Sequence, residues 1–145
     1  PVCDYPEGHR LDRDAILDVP CDIWIPAARP DVVREDNVQR LKARLVLEGA
    51  NIPITAKAEA ILHAKGVLVV PDFIANAGGV ICAAMEYRGA TQAAAFEAIE
   101  EKIRANTDAV LDRVAKEGIL PRVAAERLAT DRVRAAMTTR RFNIM

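Results

Sequence analysis

The chain has 145 residues, 51% of them apolar and 28% charged, with a formal net charge of -1, which is enough to bury one core and sets a single soluble globular domain as the expectation. Twenty basic and twenty-one acidic residues are interspersed without a block of one sign, which argues against nucleic acid and against an anionic membrane as partners. The longest apolar runs, residues 66–71 and 75–85, are too short or too glycine-rich to span a bilayer, and no basic-apolar-small segment opens the chain, so a cytoplasmic location is expected. Cys3, Cys21 and Cys82 are odd in number and far apart, only His9 and His63 exist, and His63 has no second ligand four residues on. Neither a disulfide framework nor a metal site is expected.

Residues 1–12, with two prolines and a glycine, read as a loop, and "RDAILDV" (13–19) as a short helix. "CDIWIPA" (21–27), "ARLVLEGA" (43–50) and "GVLVVPD" (66–72) are apolar on consecutive positions, as parallel strands covered on both faces would be. Between them, helical spacing falls at 35–42, with Val38 and Leu41 on one side, and at 56–64, with Ala58, Ile61 and Leu62 inward and Thr55 as N-cap. Strand, helix, strand, helix, strand is the pattern of an α/β sheet. A further helix follows Gly79, and "RGAT" (88–91) breaks it from a long amphipathic helix at 91–117, on which Phe96, Ile99, Ile103, Val110 and Val114 recur. Gly118 and Pro121 end that helix, and a last one from about Arg122 to Thr138 carries Ala125, Leu128, Ala129, Val133 and Ala136 as its apolar stripe. The charged faces of both read as solvated surface.

In a parallel sheet the carboxyl ends of the strands lie together, and open α/β folds bind ligands there. The first strand ends in Pro26-Ala27-Ala28, the second in Glu48-Gly49-Ala50-Asn51, and the third in Asp72 followed by Asn76-Ala77-Gly78-Gly79. Small residues let a flat ligand approach the backbone, and an Asn amide offers a donor and an acceptor to a carboxamide or a ribose hydroxyl. Glycines opening a helix also expose its unpaired N–H groups. Each feature alone is ordinary turn chemistry; the coincidence of three strand ends marks a candidate site.

"CDIWIPAA", "LVLEGANIPIT", "GVLVVPDFIANAGGV" and the following "MEY" resemble the carboxyl-terminal part of the glutamate/leucine/phenylalanine/valine dehydrogenase family, nearest its glutamate branch. The similarity runs from about Leu11 through Gly118, and "RVAAERLATDRV" looks like the family's closing helix. The resemblance implies NAD(P)-dependent oxidative deamination of an L-amino acid to a 2-oxo acid and ammonia, by an enzyme that is a homo-oligomer. It implies that Ala28, Asn51 and Asn76 line the cofactor side, and that Val80 and Ala83 face the substrate side chain. "EGANIPIT" points to glutamate, with branched-chain or aromatic substrates as alternatives. Ala83 stands where glutamate enzymes usually have a serine, and NAD and NADP both remain open.

The seven glycines, at 8, 49, 66, 78, 79, 89 and 118, form no G-x-G-x-x-G. The pyrophosphate half of a dinucleotide site is therefore missing, and the resemblance places the catalytic residues on an amino-terminal domain that has no counterpart here, so none is assigned in this segment. The expectation is a single partial domain. Residues 1–87 would form the second half of a Rossmann-like sheet of about three strands and 88–145 the carboxyl-terminal helices, from a cut or naturally truncated chain that needs the remainder of its parent to act. Alone it is expected to be inactive, to bind NAD very weakly, and to be a dimer or a marginal monomer because the strand at 21–25 would have a bare edge. The competing reading is a non-catalytic interaction or regulatory module that docks through the helix at 91–117.

Overall fold

A computed structural model describes residues 4–138. Three strands, β1 (Ile23–Trp24), β2 (Leu45–Leu47) and β3 (Leu68–Val70), form one sheet in the order β1-β2-β3. Both pairings are parallel, with Ile23 opposite Leu45, and Leu45, Val46 and Leu47 opposite Leu68, Val69 and Val70. Helix α1 (Ala56–Ala64) makes the crossover between β2 and β3. The Thr55 hydroxyl caps it by accepting from the Ala58 N–H at 3.3 Å, and Ala58 and Leu62 are fully buried on its inner face.

Side chains alternate across a strand, so consecutive apolar residues serve two cores. Val46 and Val69 join Leu17, Val33, Leu41, Ile54 and the inner face of α1 in one cluster. Val70 belongs to a second cluster with Ile74, Val110, Ala124 and Ala125, against which Leu45 and Leu47 pack. That second face is covered by α4 (Gln92–Glu117) and α5 (Pro121–Thr138). This arrangement explains the unbroken apolar character of "LVL" and "LVV": each strand is sandwiched, whereas a half-solvated strand would alternate.

Helix α4 starts where Thr91 Oγ1 accepts from the Ala94 N–H and stops at Gly118, whose left-handed φ of 64° is a helix-ending conformation that glycine adopts without a Cβ penalty. Pro121 then opens α5, at the helix position where its missing N–H costs nothing.

Three expectations need correction. The strand expected at 21–27 is only Ile23–Trp24, and Ile23 and Ile25 are exposed, so at this edge of the sheet one face is uncovered. Residues 35–42 do not make an α-helix; they hold turns and a single 3-10 turn at Val38–Arg40. Asn37 is the reason, because its side chain replaces helical bonds: Oδ1 accepts from the Arg34 N–H at 2.7 Å, while Nδ2 donates to the Val32 carbonyl and to Asp14. The apolar stripe proposed for α5 is buried at Ala125 and partly at Leu128, but Ala129, Val133 and Ala136 are exposed. Farther along, α5 meets α4 through polar pairs instead, Arg113 with Asp131 and Arg132 with Asn106. Cys3 lies outside the described residues.

Candidate functional site

The carboxyl ends of β1, β2 and β3 come together on one side of the sheet. After β1 the chain runs through Pro26, Ala27 and Ala28; after β2 it passes Gly49 and Ala50, and the Ala50 N–H donates to the Pro26 carbonyl at 2.7 Å. This close approach favours glycine at 49, where an added Cβ would stand 3.0 Å from the Ala27 Cβ and push it aside by a few tenths of an ångström. The result is an open depression lined by residues 27–30 and 49–52, Arg29 and Asn51 among them. Ile52 has a left-handed φ of 49°, rare for a β-branched residue, and its side chain is exposed.

After β3, the chain enters a one-turn helix, α2 (Asp72–Ala75), before α3 (Gly78–Tyr87). Asn76 therefore caps the end of α2 and does not follow the strand directly, and its N–H donates to the Asp72 carbonyl at 2.7 Å. The amide Nδ2 of Asn76 donates to Asn51 Oδ1 at 2.7 Å, joining the ends of two neighbouring strands. With that bond made, the Asn51 carboxamide keeps its NH2 and Asn76 keeps its carbonyl oxygen, a donor and an acceptor side by side. Asn51 thus links the two: it lines the depression together with Ala28 and is bonded to Asn76. Val80 and Ala83 are both exposed, three residues apart on α3, a helix with no buried residue.

Beneath the asparagines lies a group that sequence reasoning missed. Arg122, near the start of α5, reaches three carboxylates: Glu48 just past β2, Glu59 on α1 and Asp72 at the start of the helix after β3. Its Nη2 donates to Glu48 Oε2 at 2.7 Å, Nη1 to Asp72 Oδ1 at 3.0 Å, and Nε to both oxygens of Glu59 at 2.9 Å. The face of Phe73 lies 5.8 Å from the guanidinium. Glu48 is fully buried, and its Oε1 has no hydrogen-bond partner among the described residues. Burial pushes the Glu48 carboxyl up to about 7, with Glu59 and Asp72 adding to the push and Arg122 and the Asp72 N–H opposing it. For Asp72, burial pulls upward but the Ile52 N–H and Arg122 outweigh it and hold the carboxyl below its usual range. Burial likewise works against the charge of Arg122, yet Glu59, Asp72 and Glu48 raise its pKa above that of an ordinary arginine.

A nicotinamide ring with its carboxamide and ribose fits this surface: small residues give a flat approach and the asparagine pair gives complementary polar groups. For a pyrophosphate the sequence holds no G-x-G-x-x-G; Gly78 and Gly79 open α3 just after Asn76, as a pair without that pattern. The fold is the second half of a Rossmann-like parallel sheet followed by long carboxyl-terminal helices. The profile of the Glutamate/Leucine/Phenylalanine/Valine dehydrogenase family matches residues 2–141, and the chain belongs to that family. It is 40% identical to the glutamate dehydrogenase of Aeropyrum pernix over 149 aligned residues, covering 96% of this chain and 36% of that protein. The L-tryptophan dehydrogenase of Nostoc punctiforme superposes with a TM-score of 0.80 at 26% identity, over 88% of this chain and 38% of its own. The hetero-hexameric glutamate dehydrogenase of Thermus thermophilus, in a leucine-bound form, gives a TM-score of 0.78 at 27% identity, over 93% of this chain and 34% of its own. The chain spans little more than a third of the length of these relatives.

Proposed function

We propose that the chain supplies the nicotinamide side of the cofactor domain in an oligomeric amino acid dehydrogenase, which oxidatively deaminates an L-amino acid, glutamate in the first place, to a 2-oxo acid and ammonia. The observation that carries this reading is the 2.7 Å bond between Asn76 and Asn51 at adjacent strand ends, in a chain of this family. NAD or NADP held there would supply the acceptor for the hydride that leaves the substrate α-carbon. Asn51 and Asn76 orient the carboxamide and ribose, Ala28 leaves room for the ring, and Val80 and Ala83 face the substrate side chain. The acid-base residues and the pocket for the amino acid carboxylate come from the remainder of the parent protein.

Glutamate is supported by "EGANIPIT" and by the Aeropyrum relative. Ala83 weakens that support, because it offers no hydroxyl to a distal carboxylate. The hexameric Thermus neighbour supports assembly, and this chain is proposed to act as a homo-oligomer. The test is Asn76→Ala in the full-length protein. We expect kcat/KM with NAD(P) to fall by about 10²-fold, because misplacing the ring is costly, while the melting temperature barely moves. Wild-type kcat/KM with both cofactors would remove Asn76 from the site.

A further inference from the structure

Asp72 has both backbone groups and both carboxylate oxygens engaged, and each bond leads to a different part of the site. Its N–H donates to Glu48 Oε2 at 2.8 Å, and its carbonyl accepts from the Asn76 N–H at 2.7 Å. Oδ2 accepts from the Ile52 N–H at 2.9 Å, beside Asn51, and Oδ1 accepts from Arg122 at 3.0 Å. The loop carrying Asn51 and the turn carrying Asn76 therefore hang from one residue, and the orientation of its carboxylate is set by Arg122.

We infer that Arg122 is a positioning residue for the asparagine pair, acting through Asp72 from a helix outside the strand ends. The inference rests on the reading of Asn51 and Asn76 as nicotinamide-side residues. Arginine suits the task because its fork is planar: the Nε bond to Glu59 fixes the plane from the α1 side, and Nη1 and Nη2 are then aimed at Asp72 and Glu48. A lysine ammonium keeps the charge but cannot define a plane, so the Asp72 carboxylate regains rotation and the Ile52 N–H loses its fixed acceptor. Stability alone is a weak reason for such a group, since a buried ion cluster is often no more stabilising than an apolar replacement. Fixing two loops relative to each other is a task that an apolar replacement cannot perform. Arg122 does not line the depression, so its effect on the reaction would pass through the groups it holds, Asp72 and Glu48 first among them.

The test uses the full-length dehydrogenase, with Arg122→Lys and Asp72→Asn as site variants and Arg104→Ala, which removes an exposed pair with Glu100, as control. Hydrogen exchange resolved to the 50–54 segment is expected to quicken by about tenfold in Arg122→Lys while the α4 amides stay as in wild type, because the opening is local. The KM for NAD(P) should rise and kcat should fall, together costing about 10²-fold in kcat/KM, with Arg122→Gln worse than Arg122→Lys. The control should match wild type in every readout. A lowered melting temperature with unchanged kcat/KM and unchanged exchange at 50–54 would make Arg122 merely structural and overturn the inference. Should the variants fail to fold, wild-type exchange decides: the Ile52 N–H must be protected, and exchange at the free-peptide rate would break the link to Asp72. A wild-type enzyme that turns over no amino acid with either cofactor would defeat the functional reading instead, and the exchange result would still judge the Arg122 link.

Discussion

Asn51 and Asn76 sit over Glu48, Glu59, Asp72 and Arg122, three carboxylates from separate stretches of the chain gathered on one guanidinium. A few residues on, α3 buries nothing and presents Val80 at 78% and Tyr87 at 94% exposure. The strand-end wall is shaped from inside, by groups that cannot move without leaving a buried charge unpaired. The helical wall is a surface whose residues answer only to what they meet. A substitution below the asparagines should therefore show first in folding and in the placement of the pair. On the outer face of α3 it should show in selectivity while stability stays put.

The largest effect that would sharpen this contrast is Arg122→Ala. Removing the one cation strands Glu48, Glu59 and Asp72 against each other, and a loss of about 3–5 kcal/mol is expected in urea denaturation. A loss below about 1 kcal/mol would erase the distinction between the two walls.

Next comes pH. The Glu48 carboxyl titrates near 7 in the folded chain and near its ordinary value of 4.5 when unfolded. Between those values the folded state holds the extra proton, so stability falls as pH rises through the window, by up to about 3 kcal/mol, and is flat in this respect above it. Asp72 has the opposite sign, but its lowered pKa places its effect below pH 4, outside the window. Glu48→Gln should remove the slope between pH 4.5 and 7. A slope that survives the substitution would assign the titration elsewhere.

The smallest change in stability, within about 0.5 kcal/mol, is expected for Ala83→Ser on the exposed face of α3. In the full-length enzyme the added hydroxyl should raise the preference for glutamate over leucine by about tenfold, the worth of one hydrogen bond to a charged group. An unchanged ratio would move Ala83 out of the substrate's reach.

The sheet and the gathering of the asparagines near the strand ends were legible in the sequence because both depend on local pattern: consecutive apolar residues at 45–47 and 68–70, the cap at Thr55, and small or polar residues past the strands. The Arg122 group was not, because its members stand as far as 74 positions apart and each resembles an ordinary surface charge. A signal was present nonetheless. Glu48 and Asp72 follow "LVL" and "VVP" directly, and a carboxylate continuing a strand that is covered on both faces has little access to water. The failed helix at 35–42 has a comparable cause, since apolar spacing said nothing of Asn37 turning its side chain back onto the backbone.

The backbone at Ile52 carries one more consequence. A β-branched residue at φ 49° is held against its own preference, at a cost of about 1–3 kcal/mol that the surrounding bonds must overcome. The turn beside Asn51 is thus a preloaded joint. Its elastic energy is balanced by the Ile52 N–H bond to Asp72 on one side and, on the other, by the Ile52 carbonyl accepting from the Asp31 N–H, itself in a residue with φ 51°. When the Asp72 anchor slips, the stored strain drives the turn open, so this loop should release abruptly where an unstrained one would loosen by degrees.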